Sequence, residues 1–119
     1  MNKTLDAFTV NSHFEGKSPN VAKTYDQLLK ALQNFGPVNE EPKKTSIHLV
    51  NKSAFAGIAT RKDYLILTIK SDRKLTSSRI HKTEQVSAKR FHHEAKLMSP
   101  ENVDSELVGW LEEAYTLSA

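Results

Sequence analysis

The sequence predicts a two-layer α+β fold: an antiparallel sheet of three to five strands, with an N-terminal and a C-terminal helix packed on one face. Apolar residues recur at helical spacing near both ends of the chain, and the segment between them alternates as strands do. The connections between the strand segments are short, which favours antiparallel pairing. Because two helices are the only available cover, we expect one sheet face to be covered and the other to be wetter.

The first helix is predicted to start at Ser18 and to end at Gly36. Serine can cap a first turn, and the proline that follows it loses nothing there, because the missing N–H would be unpaired anyway. The last helix repeats this signal, with Ser99 as the cap and Pro100 at the first helical position. Glycine can adopt the left-handed conformation that closes a helix.

The strand segments are predicted at 45–50, 54–61, 64–70 and 91–97. In the last of these segments, four alternating residues share one side of the strand: Phe91, His93, Ala95 and Leu97. The polar stretch 71–90 shows no clear period, so we expect a mobile loop there that holds at most a short strand or turn near Ile80.

Length and composition predict one domain over 1–119, in which residues 1–12 form either a flexible segment or an extra strand. The chain contains no cysteine, which excludes disulfides and thiolate chemistry. Its N-terminus does not resemble a signal peptide, and no apolar run approaches the roughly 20 residues of a membrane span. We therefore expect a cytoplasmic protein without membrane contact.

The net charge of +3 is unevenly distributed, because residues 1–42 carry −1, residues 43–98 carry +9 and residues 99–119 carry −5. One interpretation is a basic sheet beside acidic helix surfaces that partly neutralise it. The other is a basic face for an anionic partner. Only Tyr64 and Phe91 are candidates for stacking on nucleic-acid bases within the basic segment.

Three catalytic or metal-binding patterns can be tested by spacing. Gly16-Lys17-Ser18 resembles the end of a phosphate-binding loop, but Asn11 stands where that loop needs its first glycine. The adjacent His92 and His93 point to opposite faces of a strand, so they cannot share a metal ion. No nucleophile elbow is present. The sequence therefore predicts no metal site and no cofactor, and it favours a non-enzymatic function while leaving an enzymatic one open.

Four blocks of the chain, "HFEGKSP", "EPKKTSIHL", "FAGIATRKDYLILTI" and "FHHEAKLMSPENVDSELVGWLEEAY", resemble in order the bacterial family called domain of unknown function 5655. The resemblance covers about residues 11 to 117. Members are often labelled "predicted transport protein". The family also occurs attached to other domains, including nuclease-like ones, which implies an accessory or binding role. It is distantly similar to the YjbR/CyaY-like two-layer domains, which implies the same α+β class.

The resemblance also implies candidate ligand-binding positions, with no role assigned to them, at Lys17, Lys43, Lys44, Arg61, Arg79 and His93. Around residue 92 this chain departs from the family pattern, because His92 stands where a threonine is usual. From the residues alone, His93 is best interpreted as a partly buried, hydrogen-bonded histidine, and a pH-responsive or ligand-contacting group is the alternative.

The favoured function is a non-enzymatic binding module whose basic surface takes an anionic partner, either nucleic acid or a phosphorylated or carboxylate ligand. One alternative is a small-ligand sensor or an enzyme with a pocket near His93, Lys17 and Arg79. Another is a protein-interaction domain, monomeric or a homodimer formed through an open sheet edge.

Overall fold

A computed structural model describes residues 9–119 and consists of one six-stranded sheet with two helices packed against it. The elements in chain order are α1 (Pro19–Leu32), β1 (Asn39–Pro42), β2 (Ile47–Val50), β3 (Ala54–Thr60), β4 (Leu65–Ser71), β5 (Ile80–Ser87), β6 (Arg90–Leu97) and α2 (Ser105–Leu117). Short 3-10 turns precede the helices at Asn11–Phe14 and Pro100–Asn102. The strand order is β1-β2-β3-β4-β6-β5, and every neighbouring pair is antiparallel.

The α+β class and the antiparallel sheet are thus confirmed, but the predicted strand number of three to five is wrong, because the sheet has six strands. The two strands that lack a recognisable strand pattern in the sequence are β1 and β5. Strand β1 is short, exposed and contains Pro42, and β5 is exposed on both of its faces. Neither strand alternates between apolar and polar residues, since neither has a face that is fully buried.

The region 71–90 is therefore not one long loop. Its second half is strand β5, and the connection from β4 is limited to 72–79. That connection is anchored by Leu75, which is buried. A flexible segment or an extra strand was expected over residues 1–12, and residues 1–8 of it lie outside the described residues. Residues 9 and 10 precede the first 3-10 turn, which begins at Asn11.

The core lies between the sheet and the two helices. Alternate residues of β4, Leu65, Leu67 and Ile69, are inaccessible to solvent and face Leu97, Ala95 and His93 of β6 in register. Each helix covers them with an apolar stripe. The stripe of α1 consists of Val21, Tyr25, Leu28 and Leu32, and that of α2 consists of Leu107, Leu111 and Ala114. The alternation predicted for 91–97 is confirmed, because His93, Ala95 and Leu97 are all buried.

Helix α1 begins at Pro19 after Ser18, as predicted, although the Ser18 side chain makes no capping hydrogen bond. The regular helix ends at Leu32, and Gly36 closes the following turn with φ +138. A Cβ atom at Gly36 would lie 2.7 Å from the Tyr115 hydroxyl. That hydroxyl donates a hydrogen bond to the Pro37 carbonyl at 2.9 Å, so the glycine lets α2 pack against the end of α1.

The predicted start of the last helix at Ser99 is wrong. Ser99 and Pro100 open only a 3-10 turn, and α2 begins six residues later at Ser105. Asp104 is the true N-cap, since its side chain accepts a hydrogen bond from the Leu107 N–H at 3.1 Å. Val103, with φ −85 and ψ 77, has a non-helical backbone that separates the turn from the helix.

Candidate functional site

The side of the sheet opposite the helices, here called the open face, carries no covering element among residues 9–119. Residues that alternate with the core positions point to this side. On the central strands β4 and β6 they are Ile66, Thr68, Lys70, His92, Glu94 and Lys96.

A shallow groove of about 260 Å³ runs along β3 on the open face. Its floor consists of small residues, with Gly57 at the centre and alanines at 54 and 59. Gly57 lies opposite His48 of β2 on one side and opposite Thr68 of β4 on the other. Because glycine has no side chain, the His48 ring can lean over the strand: its Cδ2 is 4.0 Å from the position that a Cβ of Gly57 would occupy.

Polar groups stand around this small-residue floor. Ser46 and His48 line the groove on the β2 side, and Thr68, Lys70 and His92 line it on the other. Three strand spacings separate β2 from β6, which puts the backbones of the two histidines about 14 Å apart. The groove therefore has an imidazole at each rim, and the two imidazoles are too far apart to share a ligand atom.

The electrostatics of the groove favour anions. Burial lowers the pKa of the His92 imidazole, and the Lys70 ammonium opposite it lowers that pKa further, whereas the Glu84 carboxylate opposes these effects without reversing them. His92 is thus mostly neutral at neutral pH, and it offers hydrogen bonds rather than charge. The lining residues include Lys70 and no carboxylate.

Two carboxylates of the open face lie next to the groove: Glu84 of β5 is opposite His92, and Glu94 of β6 is opposite Thr68. Glu94 lies 3.4 Å from the His81 ring and 3.9 Å from the Lys82 ammonium, on the β5 side of the sheet. No group of three or more His, Cys, Asp or Glu side chains that could hold a metal ion occurs within residues 9–119.

Four of the six positions implied by the family resemblance come together elsewhere, at one end of the sheet. Ser18, which follows Lys17, donates its backbone N–H to the Lys62 carbonyl at 2.8 Å. The His13 ring lies 2.8 Å from the Lys43 carbonyl, and the Thr60 hydroxyl donates to the His13 carbonyl at 2.6 Å. We call this region the basic end; its cations are Lys17, Lys43, Lys44, Arg61 and Lys62.

The basic end is not purely cationic. Glu15, Glu41 and Asp63 belong to the same segments, and the Glu41 carboxylate lies 3.6 Å from the Lys43 ammonium. Both partners of that pair are about half exposed, so the pair is weak and is screened by salt.

Arg79 lies apart from the basic end and contacts the N-terminal region of α2. Its guanidinium is 2.6 Å from the Asp104 carboxylate and 3.5 Å from that of Glu106, and it also donates to the Asn102 carbonyl. These contacts tie the connection before β5 to the N-terminus of α2. The remaining predicted position, His93, is fully buried on the helix side of the sheet, where it contacts the connection 72–79. The groove and three further clefts among residues 9–119 are lined by residues other than His93, Lys17 and Arg79.

The two aromatic candidates for base stacking face opposite sides. Phe91 stacks on His93 on the helix side, with 6.1 Å between the ring centroids. Tyr64 precedes β4 on the open face, where the Lys96 ammonium lies 4.7 Å from its ring centroid. They do not form a common stacking platform.

The groove residues His48, Lys70 and His92 were not among the predicted site residues. A signal for them existed in the sequence: the weak strand "AFAGIAT" is rich in small residues, which lower its propensity but leave room above the sheet. Recognising the groove also required the strand order, since His92 comes next to Lys70 only because β6, and not β5, pairs with β4.

A family model described as Domain of unknown function (DUF5655) matches residues 10–118. The chain belongs to this family. The resemblance expected from the four sequence blocks is thereby confirmed, over nearly the same residues.

The other comparisons add no relative to this family assignment. No curated protein matches the chain significantly, and no solved structure does. Neither helix within residues 9–119 is long and apolar enough to cross a membrane.

Proposed function

We propose that this protein is a non-enzymatic binding module that holds a small, flat, anionic ligand in the groove of the open face. The observation that carries the proposal is the groove itself: a slot of about 260 Å³ whose floor is glycine and alanine and whose rim carries Lys70 and two imidazoles. Ligand sites typically combine such a concave, mostly apolar surface with a few polar groups that fix orientation.

Lys70 supports the anionic character of the ligand. Its side chain is half-buried beside His92, so its charge is less screened than that of a fully exposed lysine. A carboxylate or phosphate placed there would meet the ammonium, the Thr68 hydroxyl and the neutral imidazole of His92. No carboxylate is among the residues that line the groove with Lys70.

The floor supports a flat ligand. Gly57, Ala54 and Ala59 present only backbone and methyl groups, and the His48 ring leans over the central glycine. A planar ring can lie on this surface and contact the imidazole while its anionic substituent reaches Lys70. Benzoate and adenosine monophosphate are simple probes of this chemistry, and inorganic phosphate tests the charge without the ring.

The experiment is a titration of the protein with these three probes, followed by backbone amide chemical shifts. We expect shifts centred on Gly57 and Thr68, with both ring-bearing probes binding at least several-fold more tightly than phosphate. Lys70→Gln is expected to weaken binding about tenfold, because it removes a charge-assisted hydrogen bond. Lys96→Gln is the matched control, since Lys96 is on the same face but outside the groove lining.

A second candidate function, binding of a nucleic acid, is favoured by the convergence of four family positions at the basic end. A generic DNA duplex is therefore the fourth probe. If the duplex binds with a strong salt dependence that Arg61→Gln reduces and Lys70→Gln does not, the basic end is the functional surface. That result, together with no shift at Gly57 for any small probe, would refute the groove proposal.

A further inference from the structure

Strand β5 forms an edge of the sheet that has no strand partner on its outer side among residues 9–119. From residue 81 to residue 87 its side chains are exposed on both faces, and β6 is the only element with which it makes an extended contact. The unpaired N–H and C=O groups of such an edge are a template for pairing with another strand. The residues of β5 indicate which strand fits.

The regular centre of β5, residues 82–84, is its own antiparallel complement. When two copies run in opposite directions with Thr83 opposite Thr83, Lys82 of each copy lies opposite Glu84 of the other. Opposite charges thus face each other twice, once on each side of Thr83.

The two ion pairs of this register are geometrically compatible with the sheet. Lys82 and Glu84 pair with Glu94 and His92 of β6, so both point to the open face. Directly opposite residues of an antiparallel pair project on the same side, at Cβ separations of about 5 Å. The Lys82 and Glu84 side chains of two copies would therefore lie side by side.

We propose that this protein forms a homodimer in which the β5 strands of two copies pair antiparallel about a two-fold axis at Thr83. The axis is perpendicular to the sheet, so the two sheets become continuous and the helices of both copies lie on one side. This is an isologous interface, in which each copy contributes the same residues. The proposal does not depend on ligand binding, because the groove is centred on β3, three strands away from this edge.

The alternating charges also select the register. Moving the centre to residue 82 would bring Lys82 opposite Lys82, and moving it to residue 84 would bring Glu84 opposite Glu84. Like charges directly opposite each other destabilise a strand pair. The β5 ladder has irregularities between Ile80 and Lys82 and between Gln85 and Ser87, so the regular pairing segment is short and the dimer is expected to be weak.

Charge reversal tests this register directly. Lys82→Glu makes both facing pairs acidic, and Glu84→Lys makes both of them basic, so each single variant is expected to dimerise about tenfold more weakly than the wild type. The double variant carrying both changes restores two opposite-charge pairs and is expected to recover the wild-type dissociation constant. Sedimentation over a concentration series up to roughly 1 mM measures all four proteins.

A mixture of the two single variants provides the decisive test. The Lys82→Glu chain and the Glu84→Lys chain are complementary, so a mixture is expected to form a heterodimer where each chain alone is largely monomeric. This arm is insensitive to any local change that Lys82→Glu causes next to Glu94, because the same folded chain is present alone and in the mixture. Lys89→Glu, in the turn that follows β5, changes the net charge equally and is expected to leave dimerisation unchanged.

Two outcomes would overturn the proposal. A wild-type protein that remains monomeric over the whole concentration series excludes a dimer. A wild-type dimer that the single variants do not weaken, or that neither the double variant nor the mixture restores, excludes pairing about Thr83.

Discussion

Two adjacent histidines show how much a single step along a strand changes the role of a residue. His92 lies on the open face at the rim of the groove, whereas His93 has no solvent-accessible surface. The Nδ1 atom of His93 is 3.0 Å from the Thr83 hydroxyl, and its Nε2 atom is 3.2 Å from the Arg73 carbonyl and 3.4 Å from the Leu75 backbone nitrogen. His93 thus joins β5 and the connection 72–79 to β6.

The first residue-scale prediction concerns this buried ring. His93→Leu preserves the apolar body of the side chain but leaves polar backbone groups near Leu75 without their partner. We expect a loss of about 1–3 kcal/mol in the free energy of unfolding, measured with urea. His92→Leu, one position away and partly exposed, is expected to change it by less than about 0.5 kcal/mol. Equal losses for the two variants would contradict the structural role assigned to His93.

At the scale of elements, the start of α2 rests on a few polar groups. The Asp104 carboxylate accepts the Leu107 N–H and is 2.6 Å from the Arg79 guanidinium. These contacts lower the pKa of Asp104, and the hydrogen bond from the Leu107 backbone has the largest effect. Part of the stabilisation of the helix start therefore depends on the ionised form of this side chain.

The element-scale prediction follows from that dependence. Asp104→Ala is expected to cost about 1 kcal/mol of stability at neutral pH, because it removes an N-cap. Since the folded protein lowers the pKa of Asp104, the stabilisation is complete above the ordinary value of 3.8 and is lost as the pH falls through the folded value. Denaturation of wild type and variant at neutral and at acidic pH should show the difference shrinking.

Asp104→Asn separates the two contributions, because asparagine still caps a helix but cannot pair with Arg79 as a charge. It is expected to retain most of the neutral-pH stability. If it costs as much as Asp104→Ala, the ion pair with Arg79 and not the cap maintains the start of α2.

The elements that could be predicted from the sequence are those with one buried face. Strand β4 alternates because Leu65, Leu67 and Ile69 pack against the helices, and α1 shows a helical stripe for the same reason. Strand β5 has no buried face, and it is held by its backbone ladder and its polar side-chain contacts with β6, so its sequence pattern is indistinguishable from that of a loop. The false start at Ser99 has a local cause: its capping box is real but closes only one turn.

At the scale of the whole molecule, what could not be predicted is which side chains meet. The alternation of 91–97 places His92 away from the core, but its proximity to Lys70 depends on β6 inserting between β4 and β5. A meander in sequence order would have put β5 beside β4. The same insertion makes β5 an edge strand, so the groove and the edge proposed for dimerisation both result from one feature of the topology.

The whole molecule has helices on one side of the sheet only, and two isoleucines of one strand test this arrangement. Ile66 and Ile69 both belong to β4, but Ile69 is fully buried under the helices and Ile66 points to the open face. Ile69→Ala is expected to destabilise the protein by about 2–5 kcal/mol, because it removes buried methyl groups and leaves a cavity. Ile66→Ala loses the same β-branched side chain, so its effect on strand propensity is equivalent, and we expect a cost below about 1 kcal/mol.

Urea denaturation of both variants at low protein concentration measures the difference. Comparable costs would mean that the open face is covered when the chain is folded, and the groove would then be part of an interface and not free to take a ligand.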